Sequence, residues 1–84
     1  MKFFVYILYS PLHDKYYVGQ SNDVESRLHQ HNAGYSTYTA PYRPWSLECF
    51  IEKETRAEAL ELERKLKNLS KVRIKAFIDK YRPE

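Results

Sequence analysis

Five polar side chains stand where an apolar core would be expected to begin: Tyr6, Tyr17, Arg27, His31 and Glu63. Arg27 and His31 are four residues apart in the stretch Asn22 to Gly34, so on a helix they project from neighbouring positions. They sit beside the apolar positions Val24 and Leu28, at the edge of what the helix must bury. The stretch follows directly on a tyrosine-rich segment in which Tyr17 and Gly19 share one strand face. A glycine opposite a tyrosine leaves a hole beside the hydroxyl, where a ligand's backbone or a phosphate can approach. Glu63 lies on a later helical pattern, at the rim of its buried stripe.

The elements that must position these groups follow from local signals. Phe3 to Tyr9 is unbroken by polar residues and bounded by Ser10-Pro11, which predicts a strand covered on both faces. Pro11 to Asp14 makes a turn and Lys15 to Gln20 a second strand, so the pair is an antiparallel hairpin. A four-residue turn brings Tyr6 opposite or nearly opposite Gly19. Asn22 with Glu25 reads as a capping box and Gly34 as a helix stop, with Val24, Leu28 and His31 on the inner side. Tyr35 to Pro44 is a loop, and Trp45 to Lys53 a third strand with Leu47, Cys49 and Ile51 on one face; Trp45 and Phe50 do not fit a simple alternation. Thr55 with Glu58 opens a helix that runs to about Leu69, with Ala59, Leu60, Leu62, Leu66 and Leu69 apolar. Ser70 caps a last helix from Lys71 to about Tyr81, carrying Val72, Ile74, Ala76, Phe77 and Ile78. The expected fold is α+β: a three-stranded, mostly antiparallel sheet flanked by helices, in the order β-β-α-β-α-α.

Composition sets the outer limits. Eighty-four residues, 1–84, make one small domain with room for a single modest core, and 43% hydrophobic content is too apolar for a disordered chain. The net charge of +3 permits an anionic partner such as nucleic acid without demanding one. Cys49, the one cysteine, lies in an apolar run and reads as a small core residue; a disulfide framework is excluded and a reducing cytosol suits the chain. The apolar run after Met1-Lys2 imitates a signal peptide but is short and lacks a small-residue cleavage site, and no stretch approaches the ~20 apolar residues of a membrane helix. The expected location is cytoplasmic, with no membrane association. His13, His29 and His31 lack zinc-site spacing, and no glycine-rich nucleotide loop is present, so no small-molecule cofactor is expected.

Val5-Tyr6-Ile7, then Tyr17-Val18-Gly19 with ten residues between the two tyrosines, then Arg27, His31 and a helical Glu63 in that order, resemble the GIY-YIG nuclease superfamily. The run from Tyr17 to Asn32, with Tyr38-Thr39 through Arg43-Pro44 and Glu58 to Lys67, resembles the small stand-alone bacterial members, so the likeness covers nearly the whole chain. Val5 departs from the first glycine of the family's name, and the asparagine that several members carry after the glutamate has only Asn68 as a rough counterpart. The resemblance implies hydrolysis of phosphodiester bonds in DNA with one divalent ion, Mg²⁺ or Mn²⁺. Glu63 would be the metal ligand, Arg27 would neutralise the phosphate, and Tyr6, Tyr17 and His31 would position or deprotonate the attacking water. Gly19 would allow close approach. Larger members carry an attached module that chooses the target, which leaves room here for a protein partner that supplies specificity. The chemistry is coherent: a cation and a metal offset charge growing on the phosphoryl oxygens, and a hard carboxylate suits Mg²⁺. Tyrosine, with an ordinary pKa of roughly 10, becomes a base only where cations favour its phenolate. The sequence does not choose between Tyr6 and Tyr17.

Singly, each residue has an ordinary reading. Either tyrosine alone is a sheet residue with a solvated hydroxyl. Arg27 can pair with Asp23, and Glu63 with Lys67, across one helical turn, for about 0.2–0.5 kcal/mol each. It is their conjunction in order and spacing that favours a site. Tyr38, Arg43 and Lys67 are further candidates for substrate contact through stacking and phosphate pairing, although the loop that holds Tyr38 and Arg43 can equally be one pinned by prolines. The rival reading is a non-catalytic nucleic-acid-binding module on the same fold.

Overall fold

In the computed structural model, which describes residues 2–82, Phe3–Ser10 forms β1 and Lys15–Ser21 forms β2. The outer limits of the expected domain, residues 1, 83 and 84, lie outside the described residues. Val24–Asn32 is α1, Ala40–Tyr42 a single 3-10 turn, Ser46–Lys53 β3, Arg56–Lys67 α2 and Lys71–Tyr81 α3. The order and the α+β class are those expected. The sheet runs β2-β1-β3, antiparallel throughout, so β1 is central. That position explains the unbroken apolar run: Val5, Tyr6, Ile7 and Leu8 are all buried because both faces of β1 are covered.

One face, with Val5, Ile7, Val18 and Cys49, packs on Ala59 and Leu66 of α2 and Ile74 and Ile78 of α3. The other, with Tyr6 and Leu8, packs on Trp45, Tyr42 and the α1 residues Val24 and Leu28. Cys49 is buried, which pushes its thiol up to about 11 and leaves it an inert core residue.

Several local expectations are corrected. The cap of α1 is Asp23, not Asn22: its carboxylate accepts the Ser26 N–H at 3.1 Å. Asp23 is one residue nearer the helix and places its oxygen at the third amide on. Leu47 does not share a face with Cys49 and Ile51. Ile7 pairs with Cys49 and Leu8 with Leu47, so Glu48 is an extra bulged residue that flips Leu47 to the Tyr6–Leu8 side. β3 begins at Ser46, and α2 stops at Lys67 with Asn68 as its C-cap. Of the apolar residues on the last two helices, Leu60 of α2 and Val72 and Ala76 of α3 are exposed.

Other signals hold. Gly34 closes α1 at φ +84, with Gly34 N–H on the His31 carbonyl and Tyr35 N–H on the Gln30 carbonyl, a bonding pattern that needs the left-handed residue. Thr55 accepts from the Glu58 N–H at 3.2 Å and Ser70 from that of Arg73 at 3.3 Å.

Asn32 ties down the far end of the loop after α1. Asn32 Oδ1 accepts the Trp45 N–H at 2.6 Å, and its Nδ2 donates to the Trp45 carbonyl at 3.0 Å. The buried indole in turn donates to the Thr39 carbonyl at 2.9 Å. Asn32→Ala removes both backbone partners of Trp45 and is expected to destabilise the chain by about 1–3 kcal/mol, measured by urea unfolding.

Candidate active site

The register of the hairpin sets the geometry. Tyr6 of β1 lies directly opposite Gly19 of β2, as the turn length predicts. A Cβ on Gly19 would stand 2.5 Å from the Tyr6 hydroxyl oxygen and 3.1 Å from Cε2 of Tyr17, so glycine is what admits both rings. Because β2 is an edge strand, side chains from both helical layers reach around it. The result is a cleft of about 370 Å³ lined by Tyr6, Tyr17, Gly19, Gln20, Arg27, Arg56, Leu60 and Glu63. Stretches of chain far apart in sequence thus supply the hairpin tyrosines, a guanidinium from α1, and a second guanidinium and a carboxylate from α2.

Tyr6 is only 1% exposed. Burial pushes its phenol up, while the Arg27 guanidinium in the same cleft pulls the other way; the net direction is upward. The phenol is therefore protonated in the resting chain. Its hydroxyl also meets His31 Nε2 at 3.0 Å. His31, 1% exposed, lies beneath the cleft rather than in it, and its Nδ1 meets the Thr39 hydroxyl at 2.8 Å. Tyr17 stacks beside this pair, its ring centroid 5.1 Å from His31 and 6.4 Å from Tyr6.

Burial, and secondarily Arg27, hold the His31 imidazole below its ordinary value of 6.5. The neutral ring is thus favoured in the folded chain. Its contribution to stability is fully present above the unfolded value and is lost as pH falls from there through the lower folded value. Urea unfolding is expected to show wild type weakening as pH drops below about 6.5, and His31→Gln to show a shallower loss across that window.

Glu63 holds two partners. Gln20 Nε2 donates to Oε1 at 2.9 Å and the Lys67 ammonium sits on Oε2 at 2.7 Å, an ion pair that raises the Lys67 pKa. The Glu63–Lys67 pair is the ordinary one expected from helical spacing. The Asp23–Arg27 pair is not found among the described residues: Asp23 caps α1, and Arg27 Nη1 donates to Gln30 Oε1 at 3.0 Å. No group of three histidine, cysteine or acidic residues is assembled among the described residues. One carboxylate nevertheless fits a hard ion that keeps its own waters and takes further oxygens from a phosphate.

The other candidates lie around the cleft rather than in it. A larger hollow of about 820 Å³ adjoins at Tyr17 and carries Tyr38, Lys67, Lys15 and Lys71. It is a flank and not the centre, because Arg27 and Glu63 are absent from it and its one carboxylate, Asp14, is bound by Tyr9 and Lys71. Tyr38 is exposed, 6.0 Å from the Tyr17 ring centroid. Arg43 turns back on its own loop: Nε donates to the Ala40 carbonyl at 2.8 Å, and its guanidinium covers Gly34. Asn68 does not line the cleft.

Gln20, Arg56 and Thr39 escaped the sequence reading. Arg56 had a signal: it precedes Glu63 by seven residues, two helical turns, and so shares its stripe of α2 with Leu60 between them. Gln20 follows Gly19 in strand alternation and so turns to the α2 layer. Thr39 lies in the loop and had no periodicity to mark it.

The sequence pattern of the GIY-YIG catalytic domain matches residues 2–81. A UPF0213 protein of Bacillus velezensis is 38% identical over 68 residues, which cover 79% of this chain and 68% of that protein. The solution NMR structure of a UPF0213 protein of Bacillus halodurans superposes with a TM-score of 0.61 at 28% identity, covering 94% of this chain and 84% of that one. No helix among the described residues is long and apolar enough to cross a membrane.

Proposed function

The chain belongs to the GIY-YIG catalytic-domain family, a family of nucleases that are generally metal-dependent, and from that premise we propose that it is an endonuclease hydrolysing phosphodiester bonds in DNA with one Mg²⁺ or Mn²⁺ ion. The observation that carries the reading is the single cleft in which Tyr6, Tyr17, Gly19, Arg27 and Glu63 converge.

Each residue has a task its environment supports. Glu63 would hold the ion, with Gln20 keeping the carboxylate aimed across the strand edge, and an ion there would offset the charge that grows on the phosphoryl oxygens. Arg27 and Arg56 supply fixed positive charge beside the phosphate, where donors that need no rearrangement act most strongly. Gly19 makes room for the two phenols to stand at the cleft, the space its side chain would need being taken by the Tyr6 and Tyr17 rings. Tyr6, Tyr17 and His31 position the water and take its proton. Tyr38 and Lys67 contact the DNA beyond the cut, along the flanking hollow, and Lys67 pairs with Glu63 across one helical turn. Arg43 sits farther out and contacts substrate only by leaving Gly34. Repair or processing of branched or damaged DNA is the setting in which such a small cutter, with a protein partner to direct it, is useful.

The test is incubation of labelled single-stranded, duplex and branched DNA with wild type and Mg²⁺, Mn²⁺ or chelator. Cutting that requires the ion supports the reading. Salt-dependent binding without cutting under any condition replaces it with a binding module on the same fold.

A further inference from the structure

The row of groups behind the cleft has an end that the site itself does not explain. Thr39 is 0% exposed, yet its hydroxyl meets Nδ1 of His31 at 2.8 Å, and His31 meets the Tyr6 hydroxyl at 3.0 Å. A buried threonine on a buried histidine on a buried tyrosine makes a line from the core to the cleft. The Trp45 indole and the Asn32 latch fix the loop that carries Thr39, so the hydroxyl does not wander.

The donors and acceptors along this line fix its direction. Arg27 lines the same cleft as Tyr6, and a guanidinium has only donors to offer, so toward Arg27 the phenol oxygen presents a lone pair and not its proton. The phenol's own proton then points to its other partner, Nε2 of His31, which must be unprotonated to accept it. With Nε2 accepting, the ring proton belongs on Nδ1, where the partner 2.8 Å away is Thr39 Oγ1, able to accept it. We propose that Thr39 is a positioning residue for hydrolysis: its buried hydroxyl holds His31 in the Nδ1–H form, so that Nε2 stays open to receive the phenolic proton of Tyr6.

This rests on the nuclease reading and deepens it by choosing Tyr6 over Tyr17 as the base. A protonated phenol cannot take a second proton and keep its first. As the water oxygen forms its bond to phosphorus, its proton passes to the Tyr6 oxygen and the phenolic proton passes to His31 Nε2. The ring becomes an imidazolium whose Nδ1–H still rests on Thr39. The bond to the leaving oxygen breaks with its electron pair on that oxygen, which takes a proton from solvent. His31 returns its proton through Tyr6 to solvent water. Among the described residues Tyr17 has no such acceptor behind it in the line, and it remains a positioning partner of the Tyr6 and His31 rings.

The experiment compares wild type, Thr39→Ser and Thr39→Val as full chains. Long-range proton–nitrogen spectra of the histidine rings are recorded without substrate at about pH 8, above the ordinary imidazole range. His31 is assigned by its loss in His31→Gln, and the same preparations are assayed on labelled DNA with Mg²⁺. Wild type and Thr39→Ser are expected to show the Nδ1–H pattern and to cut at rates within about threefold of each other. Thr39→Val, which keeps the shape without the acceptor, is expected to lose that pattern and cut roughly 10- to 100-fold more slowly at unchanged KM. An Nε2–H ring in wild type overturns the proposal, as does a Thr39→Val chain that keeps Nδ1–H or cuts as fast as Thr39→Ser. Should Val fail to fold, the wild-type ring pattern and the serine rescue still decide. Wild type that cuts nothing sinks the nuclease reading and the reaction role together, whereas a wrong tautomer in a chain that cuts sinks Thr39 alone.

Discussion

Glu63→Gln is expected to reduce DNA cleavage by at least about 10³-fold while leaving the fold and DNA affinity in place. Among the described residues, Glu63 is the one carboxylate lining the cleft, so no neighbour can replace it as an ion's anchor. Glutamine keeps the size and an acceptor for Gln20, so the α2–β2 contact survives. What is lost is the negative charge, and with it the Lys67 pair, an exposed-side helical contact worth about 0.2–0.5 kcal/mol. Removing a negative charge beside a bound phosphate does not weaken DNA binding. Unfolding curves, binding isotherms and cleavage rates on one preparation separate these effects. A variant that still cuts at the wild-type rate removes Glu63 from the reaction.

Gly19→Ala is expected to destabilise the chain by about 1–3 kcal/mol and to slow cutting about 100-fold. The added Cβ stands 2.5 Å from the Tyr6 oxygen and 2.6 Å from Cζ, closer than real Cβ contacts come. The cost depends on whether the ring can give way. It is buried, its hydroxyl is bonded to His31, and Tyr17 closes the other side at 3.1 Å from the same Cβ. Tyr6 must therefore tilt, which breaks the line to His31 and moves the phenol in the cleft. A methyl group at an exposed glycine would be almost neutral, so the size of the unfolding shift reports how firmly Tyr6 is held. Wild-type stability together with wild-type cutting would show that the phenol is not needed where it stands.

Much of this site was legible because it is built from regular elements. Strand alternation and a short turn were enough to set Tyr6 against Gly19, and helical spacing placed Arg27 beside His31. The same arithmetic applied to α2 would have found Arg56, two turns before Glu63, instead of looking to the loop for another cation. Arg43 misled because loop cations carry no period; its guanidinium is spent on Ala40 and Gly34. Thr39 was beyond reach for the same reason, since only the tertiary latch of Asn32 on Trp45 brings it to His31. The bulge at Glu48 has no residue signature, so the strand period placed Leu47 on the wrong face. Leu60 reads as core by type yet lines the cleft, where an apolar wall helps to exclude water.

The most direct measurement is to run the Mg²⁺ reaction in heavy-oxygen water and weigh the DNA products. Hydrolysis in this cleft by an activated water predicts one heavy oxygen on the phosphate end left by the cut, and no product at all in chelator. DNA left intact with Mg²⁺ present, or a product joined covalently to a tyrosine with no heavy oxygen taken up, would contradict it.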